Sequence, residues 1–525
     1  MDFLLNKNLK ILLIFLLLIF SYYCSIIIGI SWDELFEINR GQDRLKYLFS
    51  LGSYDIAPAQ NDKYYPGLYS TISAFISNAL PKKYIYESFH IINNTFSIIT
   101  IFGLYKLVKI LFNKYVALLA FIILFFNPTF FGHMSMNPKD TIIAFSFVWT
   151  TLTLLRYLSN QNNLLKRKKF IIYASLFIGL GLGTRIQFIS LLIPLFLYVL
   201  IFSYSNKQFS LSKFFIDMIK IFIISYFIMI ICWPQVHSNI FIEPFRIFFE
   251  QLKIHFGPDA ILLNSKVLLT SKIPFYYIFL NLFFKSPEYI ILTYLFFLPL
   301  IIYDKKFIND EFDNFYNKIL LLIFIIISPT IFIIFSSYKV YDGLRLFLYI
   351  IPFYCIIPSI TIYYLIKKNK IFLIKVIFFI ISLFFIFHIY NFIKITPYQY
   401  TYFNLFSGSK DNLVKKFEID YWGISLNDLI REIVKKDYIK KNGFTNIAIC
   451  GMNVEIAKIE LKKYPKFKYK LKNYWNEDYD YIMMNNRPVF KDKNKIITCY
   501  EKFPTKSIVD IKRNNVILSS FKRAF

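Results

Sequence analysis

Long apolar runs dictate the architecture open to this chain. Residues Ile11 to Ile30 contain no charged side chain. A helix needs about 20 such residues to cross the hydrocarbon of a bilayer. In that setting the backbone must satisfy its own hydrogen bonds, so the runs are read as helices. No small-residue cleavage site follows the first run, which predicts a retained helix and not a removed signal peptide. About eleven spans are expected, near 11–30, 88–112, 115–131, 141–157, 170–184, 186–203, 214–233, 287–303, 319–335, 346–366 and 371–393. The spans 170–184 and 186–203 meet at Gly181-Leu182-Gly183-Thr184-Arg185, read as a tight turn because one helix through both is too long for a crossing. A hydrophobic fraction of 56% and a mean hydropathy of +0.48 exclude a soluble globular domain.

The net charge of +28 is carried mostly by dispersed lysines that flank the apolar runs. That pattern excludes nucleic acid as a partner and serves topology instead. With Lys7 and Lys10 inside, alternation also puts inside Lys106, Lys109 and Lys114, then Lys166-Arg167-Lys168-Lys169, Lys207 and Lys213, Lys305 and Lys306, and Lys367, Lys368 and Lys370. Every basic cluster between spans therefore lands on one side, with a cytoplasmic N-terminus. Lys220 and Lys375 lie within spans near their inside ends, where they can snorkel.

The outer face receives loops 31–87 and 234–286, the turns 132–140 and 336–345, the turn at Arg185, and everything after about Lys394. Leu68 to Leu80, Pro244 to Phe256 and Phe275 to Phe284 read as helices lying in the interface. Two parts are expected: a transmembrane domain over 1–394, and a small extracytoplasmic α/β domain over 395–525. The latter has a helix at Asn427 to Lys436 and strands at Asn446 to Cys450 and Tyr479 to Met484. Cys24, Cys232 and Cys355 lie in or beside apolar runs as packing residues. Cys450 and Cys499 either pair, as an extracytoplasmic location permits, or remain two buried thiols. No CxxC spacing points to zinc.

Four groups of residues carry possible chemistry. Trp32-Asp33-Glu34 sets two carboxylates just beyond the first span. A carboxylate beside a low-dielectric region has a raised pKa and suits a general base, although isolated loop acids are commonly just solvated. Asn137-Pro138-Lys139-Asp140 opens the fourth span with N-cap Asn, Pro at N1 and an acid in the first turn. Its Lys139 and Asp140 face outward at a positive helix end suited to phosphate. His133, just before it, is a candidate more readily explained as a hydrogen-bonded loop residue. Arg185 lies between two apolar segments, where an unpaired cation is costly. Tyr338-Lys339-Val340-Tyr341-Asp342-Gly343-Leu344-Arg345 forms an outer turn that contributes Tyr341, Asp342 and Arg345. Topology was assigned from other residues, yet all these groups fall on one face. Such a collection suits a lipid-linked anionic substrate, with an acid to deprotonate an acceptor and cations to hold a phosphate.

These residues resemble the bacterial membrane glycosyltransferases of the GT-C fold, in particular the family 39, protein mannosyltransferase-like and aminoarabinose-transferase-like group. The resemblance rests on the acidic pair, the Asn137-Pro138-Lys139-Asp140 turn, Gly183-Thr184-Arg185 and Tyr341-Asp342-Gly343-Leu344-Arg345. Pro397-Tyr398-Gln399-Tyr400, Tyr402-Phe403-Asn404 and Asp420-Tyr421-Trp422-Gly423 extend it to about residue 430. Many relatives carry His after the Arg of the Tyr-Asp-Gly-Leu-Arg turn, whereas this chain has Leu346. The resemblance implies transfer of a hexosyl or pentosyl group from a polyprenyl-phosphate donor to a glycolipid, polysaccharide or protein hydroxyl on the outer face of the bacterial cytoplasmic membrane. Asp33 inherits the role of base, Glu34 helps bind the acceptor, and the anomeric carbon inverts. Lys139, Arg185 or Arg345 stabilises the phosphate as charge develops. No cofactor is expected, and no required metal is predicted. Two other readings are a transporter or flippase of a lipid-linked or anionic solute, and a non-catalytic membrane assembly protein. A transporter would carry ionisable groups near mid-membrane and paired broken helices, and this sequence shows neither.

Overall fold

The structure, a computed structural model, describes residues 7–56, 61–254, 257–335, 339–435, 444–475, 477–492 and 495–524. Tyr338, Phe256 and Lys436, at the edges of three expected segments, lie outside them.

Helix α1 (Lys7–Ile27) is followed by α2 (Glu34–Phe49), α3 (Leu68–Ser77) and α4 (Ile85–Leu111). The segment 31–87, expected as a loop, is thus largely helical. Next come α5 (Lys114–Phe125) and α6 (Pro128–His133), α7 (Asp140–Leu158), α8 (Leu164–Thr184), α9 (Ile193–Ser205) and α10 (Leu211–Ile230). The expected span 115–131 is broken in two. Asn127 caps α6 by accepting from the Phe130 N–H at 3.0 Å, and Pro128 occupies the first turn. Both residues start helices and do not continue one.

The segment 234–286 holds α11 (Glu243–Lys253) and a hairpin of β1 (Ala260–Leu263) and β2 (Lys266–Leu269). Its Asn264-Ser265 turn has both φ values positive, at 48° and 66°, as a two-residue hairpin requires. Helix α12 (Tyr277–Lys285) meets α13 (Glu288–Tyr303) at a bend of 117°. Then follow α14 (Lys305–Glu311), α15 (Phe315–Phe335), a 3-10 turn (Arg345–Ile350), α16 (Ile351–Tyr354), α17 (Ile356–Lys367) and α18 (Phe372–Lys394).

Among the described residues, six helices are long and apolar enough to cross a bilayer, and seven if the bent α12–α13 pair forms one span. They include α4, α7, α15 and α18. The other apolar stretches are also helical, but α5 and the apolar part of α1 (Ile11–Ile27) are shorter. Helices α8 and α10 carry charges within them, at Lys166 to Lys169 and at Lys213, Asp217 and Lys220.

After α18 the chain runs back along the helical body. Lys285 Nζ donates to the Tyr400 carbonyl at 2.9 Å, and Asn404 donates to the Ser286 carbonyl at 3.0 Å. Gly132 of α6 makes the same junction possible. A Cβ there would lie 2.1 Å from the Tyr400 nitrogen. The short helix α19 (Leu413–Lys416) and α20 (Leu426–Lys435) lead into a sheet.

Strands β3 (Thr445–Cys450), β4 (Tyr469–Lys472), β5 (Tyr481–Met484), β8 (Ser507–Arg513) and β9 (Val516–Arg523) form that sheet in the order β4-β3-β5-β9-β8. The pairs β4–β3 and β3–β5 are parallel, and β9 runs antiparallel to both neighbours. Helix α21 (Val454–Lys462) makes the crossover after β3, the connection parallel strands need. A hairpin of β6 (Pro488–Asp492) and β7 (Lys495–Thr498) precedes α22 (Cys499–Lys502). Cys450 and Cys499 form a disulfide, with Cα atoms 6.0 Å apart. Cys24, Cys232 and Cys355 are buried free thiols.

Candidate active site

Four separated stretches of chain converge on one charged cluster. Asp33 stands at the N-cap of α2, where its side chain makes no capping bond and is turned outward from the helix. Lys139 and Asp140 open α7. Asn137 Oδ1 accepts from the Asp140 N–H at 3.0 Å, so Asn137 caps the first turn from three residues upstream. Arg185 is the extended residue that ends α8. Asp342 and Arg345 come from the turn after α15. Asp342 has a φ of +57°, a left-handed conformation that Asp tolerates better than most residues.

Arg345 is the hub. Its Nε lies 3.1 Å from Asp140 Oδ2 and its Nη1 2.8 Å from Asp342 Oδ2, while Nη2 donates to Asp33 Oδ2 in a short contact. One planar guanidinium thus holds three carboxylates, a task for which the five-donor fork of Arg is suited and Lys is not. The Trp422 ring stacks 4.4 Å from that guanidinium and the Tyr341 ring lies 5.7 Å away. Trp422 Nε1 also donates to Asp342 Oδ2 at 3.3 Å. Arg185 Nη2 lies 3.1 Å from the other Asp140 oxygen. Lys139 Nζ sits 3.5 Å from Asp33, 3.1 Å from Glu37 of α2, and 4.6 Å from the Tyr65 ring centroid.

A second layer supports Lys139. Arg40 bridges Glu37 and Asp62 by two short contacts. The fully buried Arg44 donates to the Asp62 and Tyr65 carbonyls. Gly67 has a φ of +76°, and its missing Cβ leaves the space that Arg44 Nη1 fills.

Exposure separates the carboxylates. The Asp33 side chain is 21% exposed, against 4% for Asp140 and 1% for Asp342. Of the three, Asp33 is the one an incoming molecule reaches. Burial alone would raise its pKa, but Lys139, Arg345 and Arg185 outweigh burial and hold it well below the usual carboxylate range. Glu37 is likewise held down, to about 2, with burial outweighed by Arg40 and Lys139.

Glu34 stands apart from this cluster. Its side chain is 2% exposed, 2.6 Å from His90 Nε2 on α4, and accepts from the Ser31 N–H at 2.9 Å. It points into the helical body, away from Asp33's outlet, because residues at the start of a helix fan out around its axis. His133 is fully buried at the end of α6. Its Nε2 lies 2.8 Å from the Tyr421 hydroxyl and its Nδ1 3.4 Å from Asn137, whose Nδ2 also reaches Asp140 at 3.0 Å. His133 thus backs the cluster through Asn137 and does not enter it. Burial pushes its pKa down to about 3, so it is a neutral ring.

Asp140 and Arg185 also border a large apolar cavity of about 650 Å³. Its walls come from α9 and α15, with Leu197, Phe324 and Phe332 among them, and Leu346 closes part of one side. The cavity thus pairs the charged Asp140 and Arg185 with a mostly apolar lining. Among the described residues no three His, Cys, Asp or Glu side chains are grouped to hold a metal ion.

Residues 87–233 match the family described as dolichyl-phosphate-mannose-protein mannosyltransferase. That segment contains His133, Lys139, Asp140 and Arg185, whereas Asp33 and Arg345 lie outside it. No curated protein matches by sequence. Among solved structures, ArnT from Cupriavidus metallidurans bound to undecaprenyl phosphate aligns with a TM-score of 0.49 and 10% identity, over 99% of this chain and 98% of that one. The oligosaccharyltransferase AglB from Archaeoglobus fulgidus, in complex with an inhibitory peptide and a dolichol-phosphate, aligns with a TM-score of 0.46 and 12% identity, over 89% and 69%. The likeness to the mannosyltransferase family is thus carried by residues 87–233, the stretch that holds Lys139, Asp140 and Arg185.

Proposed function

We propose that this protein moves a sugar from a polyprenyl-phosphate donor to an acceptor hydroxyl at one face of a membrane, with Asp33 as the base. The observation that carries the reading is a single juxtaposition. Asp33, the exposed carboxylate, shares Arg345 with Asp140, and Asp140 with Arg185 borders the apolar cavity. A lipid phosphate fits such a place, with its chain in the cavity and its phosphate on the cations.

The charges suggest how binding readies the base. Asp33, Asp140 and Asp342 balance Lys139, Arg185 and Arg345. A donor phosphate adds negative charge, so it takes cation contacts that carboxylates now hold. When phosphate oxygens replace Asp33 on Arg345, Asp33 loses a partner that suppresses its basicity. It then accepts the acceptor's hydroxyl proton. The acceptor oxygen attacks the anomeric carbon as the bond from that carbon to the phosphate oxygen breaks. The electron pair leaves with the polyprenyl phosphate, and Arg185, Arg345 and Lys139 hold the developing charge. One displacement inverts the anomeric centre.

The same reading assigns the chain to the bacterial cytoplasmic membrane. It sets the N-terminus in the cytoplasm and the part from residue 395 outside, as a unit distinct from 1–394. The disulfide favours that orientation, since such bonds persist in oxidising compartments. Acceptors in reach are a glycolipid, a polysaccharide or a protein hydroxyl.

The test uses the full chain in detergent with a set of polyprenyl-phosphate sugars and a membrane extract as acceptor, and reads release of the lipid phosphate. Donor-dependent release is expected. Absence of release with every donor, together with no binding of undecaprenyl phosphate, would reject the reading.

A further inference from the structure

Arg487 comes from the C-terminal sheet unit, yet it ends at the charged cluster. It lies in the short link between β5 and β6, and its side chain is only 12% exposed. Nη2 is 3.0 Å from Asp342 Oδ1. Nη1 donates to the Tyr421 carbonyl in a short contact, and Nε lies 3.7 Å from Glu418. The guanidinium also lies 5.4 Å from the ring centroid of Trp32, the neighbour of Asp33. Asp342 is therefore shared by two arginines. Arg345 takes one oxygen and Arg487 the other.

The backbone beneath Arg487 is unusually well fixed. Asn485 Nδ2 donates to the Asp420 carbonyl at 2.7 Å, and Asn485 Oδ1 accepts from the Arg487 N–H at 3.2 Å. Asn486 Oδ1 accepts from the Ile419 N–H at 3.1 Å. The Cys499 N–H donates to the Arg487 carbonyl at 3.0 Å, and the Asn485 N–H to the Cys450 carbonyl at 3.3 Å. Both disulfide partners thus hold the link that carries Arg487.

We propose that Arg487 is a positioning residue of the transferase site: it anchors Asp342, Asp342 aims Arg345, and the Cys450–Cys499 bridge holds Arg487 in place. This deepens the glycosyltransferase reading and rests on it. The physical reason lies in the turn. Asp342 sits in a left-handed conformation that is unfavourable unless its surroundings fix it. Two opposed guanidinium groups fix it from both oxygens. Without Arg487, Asp342 keeps only Arg345 and the Trp422 Nε1, both on one oxygen, and the fork of Arg345 turns toward it and away from the phosphate position. The outer domain then acts as a required brace of the membrane site, and reduction of its disulfide loosens that site.

The test measures the affinity of the full chain in detergent for undecaprenyl phosphate, in wild type, Arg487→Gln, Asp342→Asn and the double variant. Arg487→Gln is expected to weaken binding about 10-fold in the wild-type background and to change it little in Asp342→Asn, the non-additivity of residues that act through one another. Reduction of the disulfide weakens wild type in the same direction and leaves Arg487→Gln unaffected. If Arg487→Gln does not fold, Arg487→Lys supplies the measurement, with a smaller loss because one ammonium cannot serve both Asp342 and the Tyr421 carbonyl. Wild-type affinity in the Arg487 variant that folds, or equal losses with and without Asp342, overturns the inference alone. Wild type that binds no undecaprenyl phosphate overturns the transferase reading, and the inference with it.

Discussion

At the scale of single residues, the site is a problem of shared cations. Arg345 touches three carboxylates, and two of them are nearly sealed from solvent. Removing such a partner leaves buried charge uncompensated, which costs about 3–5 kcal/mol. Arg345→Met is therefore expected to lose thermal stability as well as turnover. Arg345→Lys keeps the charge but loses the fork, so it should fold and still transfer sugar at least about 10-fold more slowly. A thermal melt beside a donor-release assay checks both.

Glu418 gives a pH signature. Burial outweighs Arg487 and raises its pKa from 4.5 to about 8. The unfolded chain releases this proton near 4.5 and the folded chain near 8, so the folded state binds the extra proton between those values. Stability falls as pH rises through that window and levels off above it. Glu418→Gln should flatten the fall in melting temperature between pH 6 and pH 9.

Asp33, Lys139, Asp140, Arg185, Asp342 and Arg345 were legible in the sequence because each interrupts or borders an apolar run, where a charge stands out. Arg487, Glu37, Arg40 and Asp62 were not. They sit in polar stretches that look like ordinary surface, and only tertiary folding brings them to the cluster. Adjacency misled at Glu34, which neighbours Asp33 in sequence but faces His90.

At the scale of elements, the apolar runs located the helices and missed their breaks. Asn127-Pro128 divides one expected span, and a 3-10 turn at Arg345–Ile350 opens another. Hydropathy averages over such local capping chemistry. The segment expected as the first outer loop hid α2, which presents Asp33 and Glu37. Its buried face includes Glu37 and Arg44, so apolar patterning does not mark it. The strand at 446–450 was visible as a short apolar run with alternating Ile, whereas β8 and β9 were not, since Asp510 and Lys512-Arg513 interrupt the one and Ser519-Ser520 and Lys522-Arg523 the other. The close approach of α6 to residues 399–401 has its own test. Gly132→Ala forces a methyl against the Tyr400 backbone and should destabilise by about 1–3 kcal/mol. A lowered melting temperature with donor binding retained below it is the expected outcome.

At the scale of the whole molecule, an apolar cavity meets a charged cluster, and the C-terminal sheet unit leans on that cluster. The topology proposed from lysine placement is open to a direct check. In Cys450→Ser, Cys499 is left as an unpaired thiol of the sheet unit. In intact cells it should react, once the unit is unfolded by denaturant, with a membrane-impermeant maleimide, as an extracytoplasmic C-terminal domain demands. Labelling only after the membrane is opened would reverse the orientation.

The proposed transfer depends most directly on Asp33. Wild type and Asp33→Asn should be compared at saturating polyprenyl-phosphate donor, with undecaprenyl phosphate affinity measured on the same samples. A base that has lost its carboxylate should turn over about 10²-fold or more slowly while still binding the lipid phosphate. Equal turnover in the two proteins would contradict the assignment of Asp33 as the base.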